Sequence, residues 1–340
     1  MTSKPDHLER TAAEPRDGSL HTVILDRVEE VNATTRVFRL GIPQGSHPIR
    51  FLPGQWLDVY IPGVEKAGGF TITSTPGEAL LPYLSPSSPE LDTLGPGKET
   101  DARPKRPYLE LAVQKSPDNP PAAWLWRDDP LASLVGAQLR VRVGGSFVWP
   151  PAGIDVRALR RVVFVAGGVG VNPLVSMLCA LKSVTNTATE FFDFDPEVHF
   201  LYSLRDPGER TDGMTRDAEK MLFMKRIASL FHRGGVRGRL RVFLTSGVAG
   251  AMGYEDRDGV IACREDGNGN GVGFHIPFLA RRCTVQDVVE AAGSTLEERS
   301  QAVVYVCGVP TMTDEFVARL TGNEDGIGME SRRVLREKWW

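Results

Sequence analysis

Between His21 and Gly145 the hydrophobic positions gather in short segments rich in β-branched and aromatic residues, punctuated by Pro and Gly: HTVILDRVEEV, TTRVFRLGI, QWLDVYI, GFTITS, YLELAVQK and LRVRVG. Such segments with turn residues at their ends predict strands. Six such strands with mostly turn-like connections predict a small antiparallel barrel or sandwich. After Pro150 and Pro151 the texture changes. The apolar runs RVVFVA, VHFLYS, RLRVFLT and AVVYVC predict strands, separated by helical patterns starting near Pro173, Thr215, Thr284 and Thr311. This alternation predicts an α/β doubly wound parallel sheet covered on both faces.

The pattern divides the chain into residues 1–20, a flexible N-terminus; 21–150, the β domain; and 151–340, the α/β domain, with Pro150-Pro151 as the linker. Two stretches interrupt it. Residues 77–106 are rich in Pro, Ser and Gly, and residues 247–275 are crowded with Gly, Asp and Asn, so both read as surface insertions. Ala122 to Trp126 reads as a turn of helix.

One run is anomalous in its polarity. From Val162 to Leu181 twenty residues pass without a charge, the length a membrane-spanning helix needs. Its centre, however, holds Gly167-Gly168-Val169-Gly170 and then Asn172-Pro173, which would break such a helix. The run reads instead as a buried strand, a glycine turn and a buried helix, with no transmembrane segment. Glycines allow close backbone approach to a ligand, and the helix N-terminus that follows attracts an anion. An ordinary strand-to-helix turn is the plainer alternative.

Charge and composition narrow the partners. Forty basic against 43 acidic residues leave a net charge of -3 over 340 residues, which gives no electrostatic reason to expect nucleic acid or an anionic membrane. Cys179, Cys263, Cys283 and Cys307 lie too far apart for a zinc or iron–sulfur spacing, and the six histidines form no ligand pair. Any redox centre is then an organic cofactor or a separate protein. The N-terminus has no secretory pattern, and its acids argue against an organellar transit peptide, so a cytoplasmic location is expected, with a mitochondrial one as the alternative.

VVFVAGGVGVNPLVSML and, much later, VVYVCGVPTMTDEFVARL resemble the nicotinamide-binding half of the ferredoxin-NADP reductase superfamily. Gly168, Gly170 and Pro173 match its Gly-x-Gly-x-x-Pro turn. Cys307-Gly308-Val309-Pro310-Thr311-Met312 resembles its Cys-Gly-Pro-x-x-Met segment, with Val309 in place of the first Pro. Upstream, FLPGQWLDVYIP resembles the family's Pro-Gly-Gln strand, and GGFTITSTP its flavin segment. There Phe70 stands for the Tyr and Thr71 for the Ser/Thr, but Gly68 stands where the family has an Arg on the flavin pyrophosphate. The later phosphate segment is also altered, to Asp118-Asn119-Pro120-Pro121, and prolines offer no N–H donors. Within the superfamily these departures resemble the oxidoreductase NAD-binding domain-containing protein 1 subgroup, whose members carry a Gly-Phe-Ser/Thr flavin segment.

The resemblance implies a flavin-binding β-barrel followed by an NAD(P)-binding domain, hence an oxidoreductase that passes hydride from NAD(P)H to FAD and electrons to an unidentified acceptor. A relative that binds nucleotide or a protein partner without catalysis is the other reading. For FAD the implied residues are Phe70, Thr71, Ile72, Thr73, Ser74, Gly144 and Gly145, with Trp339 or Trp340 covering the flavin face. Lys115 or Arg127 stands near enough in sequence to replace the missing charge. For NAD(P) they are Gly167, Gly168, Gly170, Pro173, Ser203, Arg205, Cys307, Gly308, Pro310 and Met312. Thr71 and Cys307 fall nearest the chemistry, Thr71 as a donor toward flavin N5 and Cys307 as a positioning residue. Each has a plainer role open to it: Cys307 as a small buried hydrophobe, the terminal tryptophans as simple packing, and Arg205 as a solvated arginine neutralised by Asp206. Ser203 and Arg205 together favour the 2′-phosphate of NADP.

Overall fold

The first strand, β1 (His21–Asn32), leads into β2 (Thr35–Gly41), β3 (Trp56–Tyr60), β4 (Gly68–Thr71), β5 (Tyr108–Gln114) and β6 (Gln138–Gly144). In the computed structural model these form one six-stranded sheet, ordered β4-β3-β6-β1-β2-β5. The structure describes residues 6–80, 106–127, 134–186, 195–208, 215–245, 258–264, 273–322 and 326–338. The sheet closes on itself. Its two edges meet where Ile72 bridges Leu111 and Thr73 N–H donates to Glu110 O at 2.8 Å. Alternate side chains, among them Val23, Leu25, Leu57, Val59, Phe70, Leu111, Leu139 and Val141, fill one apolar core, as the period-two pattern requires.

Helices cover parts of this barrel. α2 (Pro76–Leu80) occupies the start of the first expected insertion, and residues 81–105 of that insertion lie outside the described residues. α3 (Pro120–Leu125) places Ala122 and Leu125 in the barrel core.

The expected flexible N-terminus is a different matter, because from residue 6 onward it folds onto the barrel. α1 (His7–Arg10) is closed by a capping box between Asp6 and Glu9. Downstream, Arg16 bridges Gly144, Asp17 N–H donates to Val143 O (2.8 Å) and Gly145 N–H to Pro15 O (2.9 Å). Mixed charge reads as solvated in one dimension, but here the charges have buried partners.

Among the described residues the second sheet has eight strands. β7 (Arg161–Gly167), β8 (Glu197–Arg205), β10 (Gly238–Thr245) and β13 (Ala302–Gly308) are the four expected strands. β9 (Thr215–Asp217), β11 (Gly259–Cys263), β12 (Phe274–Leu279) and β14 (Val334–Lys338) complete the order β14-β13-β7-β8-β10-β12-β11-β9. All its described pairings are parallel except β11 with β12. The sheet is therefore parallel at its centre and mixed toward one end. Two expectations change here. The stretch 247–275, read as a loop, carries β11, whose GVIAC is hidden between Gly- and Asp-rich flanks. The helix expected near Thr215 is a three-residue strand, too short for any periodicity to show, and the helix follows only at α5 (Met224–His232).

α4 (Val171–Asn186) and α5 pack on one side of this sheet, against β7, β13 and β10. α6 (Val285–Ala292) and α8 (Pro310–Thr321) share a core with Val163, Val165, Val304 and Val306, while the short α7 (Leu296–Ser300) precedes β13. The division of the chain falls just before Phe147. One unit comprises Met1–Glu29 and Arg36–Ser146, the other Glu30–Thr35 and Phe147–Trp340. The expected linker prolines accordingly follow a segment already packed in the second unit, where Phe147 meets Tyr305 edge-on at 5.4 Å and Tyr305 Oη donates to Val148 O at 2.9 Å.

Candidate functional site

In the second unit the chain runs outward from β7 to β8, β10 and β12, then returns to the other side of β7 as β13. The strand order thus reverses between β7 and β13, and doubly wound sheets bind ligands at the carboxyl ends of strands at such a switch. At that place the sequence puts its two glycine segments. β7 ends at Gly167 and turns through a single 3-10 turn, Gly168–Gly170, into α4. β13 ends at Cys307-Gly308 and passes through Val309 into α8.

Each glycine has a separate physical reason. Gly168 has φ +55, and a Cβ built on it would meet nothing within 4 Å, so it faces open space. A Cβ at Gly170 would lie 2.2 Å from Cys307 O and 2.8 Å from Gly308 N. Only glycine lets the turn approach β13 so closely. Gly167 and Gly308 flank Met312, whose Sδ and Cε would stand 2.9 Å from Cβ atoms at the two positions respectively. Gly167, Gly168, Gly170, Cys307, Gly308 and Met312 are thus brought together, with Pro173 buried in the first turn of α4 and Pro310 at the first turn of α8. Cys307 is wholly buried. The turn, with an outward-facing glycine at the start of a sixteen-residue helix, is suited to a dinucleotide phosphate.

Ser203 lies opposite Gly167 in register, one strand over, and Arg205 is exposed at the end of β8. Asp206 is not Arg205's partner. Arg216 of β9 takes both its oxygens, with Nε at 2.7 and 2.9 Å and Nη2 at 2.8 Å. Sequence reasoning missed this pair because ten residues separate its members and nothing local joins them.

The barrel segment behaves differently. Phe70 is opposite Leu57 in register and belongs to the barrel core. A Cβ at Gly68 would lie 2.5 Å from the Phe70 ring and 2.7 Å from Pro121 Cβ, so α3 and Phe70 already fill the space an Arg would leave by. Ile72 is buried with its N–H on Gln55 O at 2.9 Å. Thr73 Oγ1 donates to Glu110 Oε1 at 2.8 Å, and Ser74 Oγ accepts from Glu110 N–H at 3.0 Å. Thr71 Oγ1 alone of these three hydroxyls finds no hydrogen-bond partner among the described residues, although it is buried. An orphaned buried hydroxyl costs about 1–3 kcal/mol unless something outside the chain meets it.

At the altered phosphate segment, α3 opens with two prolines. Ala122 N–H donates to Asn119 Oδ1 at 3.4 Å and Ala123 N–H to Asn119 O at 2.8 Å. The first turn of α3 therefore has no N–H left for a phosphate. The cations are engaged too, Arg127 over the Trp124 ring at 4.3 Å and Lys115 over Trp126 at 5.5 Å. Gly144 and Gly145 are backed by Arg16, Pro15 and Trp56, the Trp56 ring standing 2.5 Å from a Cβ at Gly145. Trp339 and Trp340 lie outside the described residues.

Behind these glycines sits a charged cluster that sequence reasoning also missed. Asp58 is fully buried on β3. Arg16 Nε and Arg142 Nη2 donate to its Oδ2 at 2.9 and 2.8 Å, and His7 Nε2 lies 2.8 Å from Oδ1, where Trp56 Nε1 also donates at 3.2 Å. Burial alone would raise the Asp58 carboxyl, but the hydrogen bonds from His7, Arg16 and Arg142 outweigh it and hold the group well below the usual carboxylate range. The alternation of β3 could have flagged Asp58 as outward-facing, but nothing in the sequence names its partners.

Elsewhere, among the described residues no group of His, Cys, Asp or Glu is arranged to hold a metal ion, and no helix is long and apolar enough to cross a membrane.

A closed six-stranded antiparallel sheet followed by a largely parallel doubly wound sheet is the ferredoxin-NADP reductase-like fold, and this chain has that fold. It superposes on a ferredoxin NADP+ reductase from Neisseria gonorrhoeae with bound FAD and NADP at a TM-score of 0.53, with 13% identity, over 95% of this chain and 99% of that one. In sequence it is similar along its whole length to oxidoreductase NAD-binding domain-containing protein 1. The Bos taurus protein is 29% identical over 351 residues, covering 99% of this chain and 86% of the relative. The Xenopus laevis protein is 28% identical over 345 residues, covering 100% and 85%. No family model matches the chain.

Proposed function

We propose that the chain is an NAD(P)H-dependent oxidoreductase whose dinucleotide lies across the carboxyl ends of β7 and β13. The observation that carries this reading is the outward-facing Gly168 at the strand-order reversal, beside the Cys307-Gly308 strand end. The N. gonorrhoeae neighbour carries both FAD and NADP, and the named relatives are NAD-binding-domain proteins. A bound reduced nicotinamide would supply a hydride, and a flavin would be the group able to accept it and to part with electrons singly.

The chain's own part is to bind and orient. The start of α4 receives the phosphates, and Gly170 lets the turn close on Cys307 O. Cys307 and Gly308 keep β13 against that turn, and Met312 fills the gap between Gly308 and Gly167. In the barrel Thr71 Oγ1 is the hydroxyl left for a flavin ring to meet. The diphosphate of FAD does not fit in the same way, since Gly68 is filled by Phe70 and Pro121 and α3 offers no free first-turn N–H. That mismatch favours a second reading, a nucleotide-binding relative without turnover.

Adding FAD and then NADPH anaerobically to the purified chain separates the two. Loss of the yellow flavin absorbance at a rate above that of free FAD is the expected result. Dinucleotide binding without such bleaching would favour the second reading.

A further inference from the structure

We infer that Arg216 sets which dinucleotide this site accepts, by occupying the carboxylate of Asp206. The inference rests on the proposed binding of NAD(P)H at the ends of β7 and β13, and it deepens that reading. Ser203 is the register partner of Gly167, so the end of β8 is the next strand end along from the phosphate turn. A carboxylate at the end of this strand accepts hydrogen bonds from the ribose 2′-hydroxyl of NAD, whereas an arginine there accommodates the 2′-phosphate of NADP. This chain has both, Arg205 closing β8 and Asp206 following it, so the two side chains by themselves give contradictory instructions.

The fold resolves the contradiction. Asp206 is fixed by its N–H on Thr245 O at 3.0 Å, and its Oδ1 also accepts from Gly208 N–H at 2.9 Å. Arg216 then engages both oxygens, through Nε at 2.7 and 2.9 Å and Nη2 at 2.8 Å. Its side chain is only 7% exposed, and its guanidinium lies 5.3 Å from the centre of the Phe278 ring. A buried, forked pairing of this kind consumes the acceptor capacity of a carboxylate and cancels its charge. Arg205, exposed, then contributes the remaining charge. Of these three charges one positive charge is left over, on the exposed Arg205, and it suits a 2′-phosphate.

Arg216 is thus a positioning residue for specificity, acting through Asp206. Opposite perturbations of the pair have opposite consequences. Arg216→Gln releases Asp206 as an unpaired anion, which attracts a 2′-hydroxyl and repels a 2′-phosphate. Asp206→Asn leaves the cation and removes the anion, which strengthens the hold on a 2′-phosphate.

The test is calorimetric titration of the full chain and both variants with NADP+ and with NAD+, and with 2′,5′-ADP and AMP as probes of the adenosine end alone. No flavin and no turnover are needed. The wild type is expected to bind NADP+ more tightly than NAD+. Arg216→Gln should lower that ratio by about tenfold or more, the size of one charge-assisted hydrogen bond, while Asp206→Asn should raise it. A purely structural role would weaken both nucleotides equally and leave the ratio where it was. If Arg216→Gln does not fold, the Asp206→Asn ratio alone decides, and an unchanged or lowered ratio overturns the inference. A wild type that prefers NAD+ overturns it while leaving the proposed function intact, and a wild type that binds neither dinucleotide removes both.

Discussion

The glycines of the two units do opposite work. At the end of β7, Gly168 leaves open space at a positive φ, and Gly170 lets two backbones touch. In the barrel the comparable glycines are occupied by the protein itself: Gly68 by Phe70 and Pro121, Gly69 by the His7 ring 2.0 Å from where a Cβ would stand, and Gly145 by Trp56. The same residue type in a family-like motif therefore leaves open space in one unit and is filled by a neighbouring side chain in the other. A glycine motif is evidence for a site only when the space it leaves is empty.

The largest combined effect, on stability and binding together, is expected beside the open turn, at Gly170. Gly170→Ala would push a methyl against Cys307 O and Gly308 N, both backbone atoms that cannot rotate away. The cost should be about 2–3 kcal/mol, seen as a lower melting temperature together with loss of NADP+ binding. Retained stability and affinity would mean that the approach of the turn to β13 is not needed.

On the occupied side, the corresponding test is Asp58→Asn. It would leave Arg16 and Arg142 around a neutral amide and loosen the segment that covers Gly69, Gly144 and Gly145. Removing one partner from a buried charge cluster costs about 3 kcal/mol. The expected reading is a lower melting temperature with faster proteolysis between Arg10 and Arg16, and NADP+ affinity unchanged. The pH dependence has a definite sign. Because the folded carboxyl is held below its ordinary value, its contribution is fully present above the unfolded carboxylate value and is lost as pH falls from about 4 downward. Acid unfolding of the wild type should therefore steepen below that point, and the Asn variant should lack this component.

The smallest stability effect belongs to Gly168→Ala. A methyl there meets no atom, and only the positive φ is strained, at about 1 kcal/mol. If the open space is where a phosphate sits, NADP+ affinity should drop by more than the melting temperature suggests. Equal losses would point to an ordinary strand-to-helix turn.

Much of the fold was legible in one dimension. Short β-branched and aromatic segments between Pro and Gly marked every barrel strand, and the continuous apolar runs marked the central strands of the second sheet, because burial leaves a local imprint on residue choice. Gly168, Gly170 and Cys307-Gly308 were legible for the same reason, since backbone turns are encoded by neighbours. β9, β11, β12 and β14 were not, because strands of three to six residues toward the ends of the sheet carry too few residues for a period and owe their existence to a partner strand. The N-terminal segment misled for a related reason. His7 and Arg16 look solvated until β3 brings Asp58 to them from 51 and 42 residues away.

By itself, then, the sequence determined the two kinds of sheet, their order, and the glycine turn at the start of α4. Tertiary structure alone decided which glycines remain open, which carboxylate Arg216 neutralises, and what the N-terminal segment covers. Alternation and turn chemistry act over a few residues and are written into the chain locally. Vacancy, charge pairing and burial depend on what arrives from elsewhere in the fold, and only packing settles them.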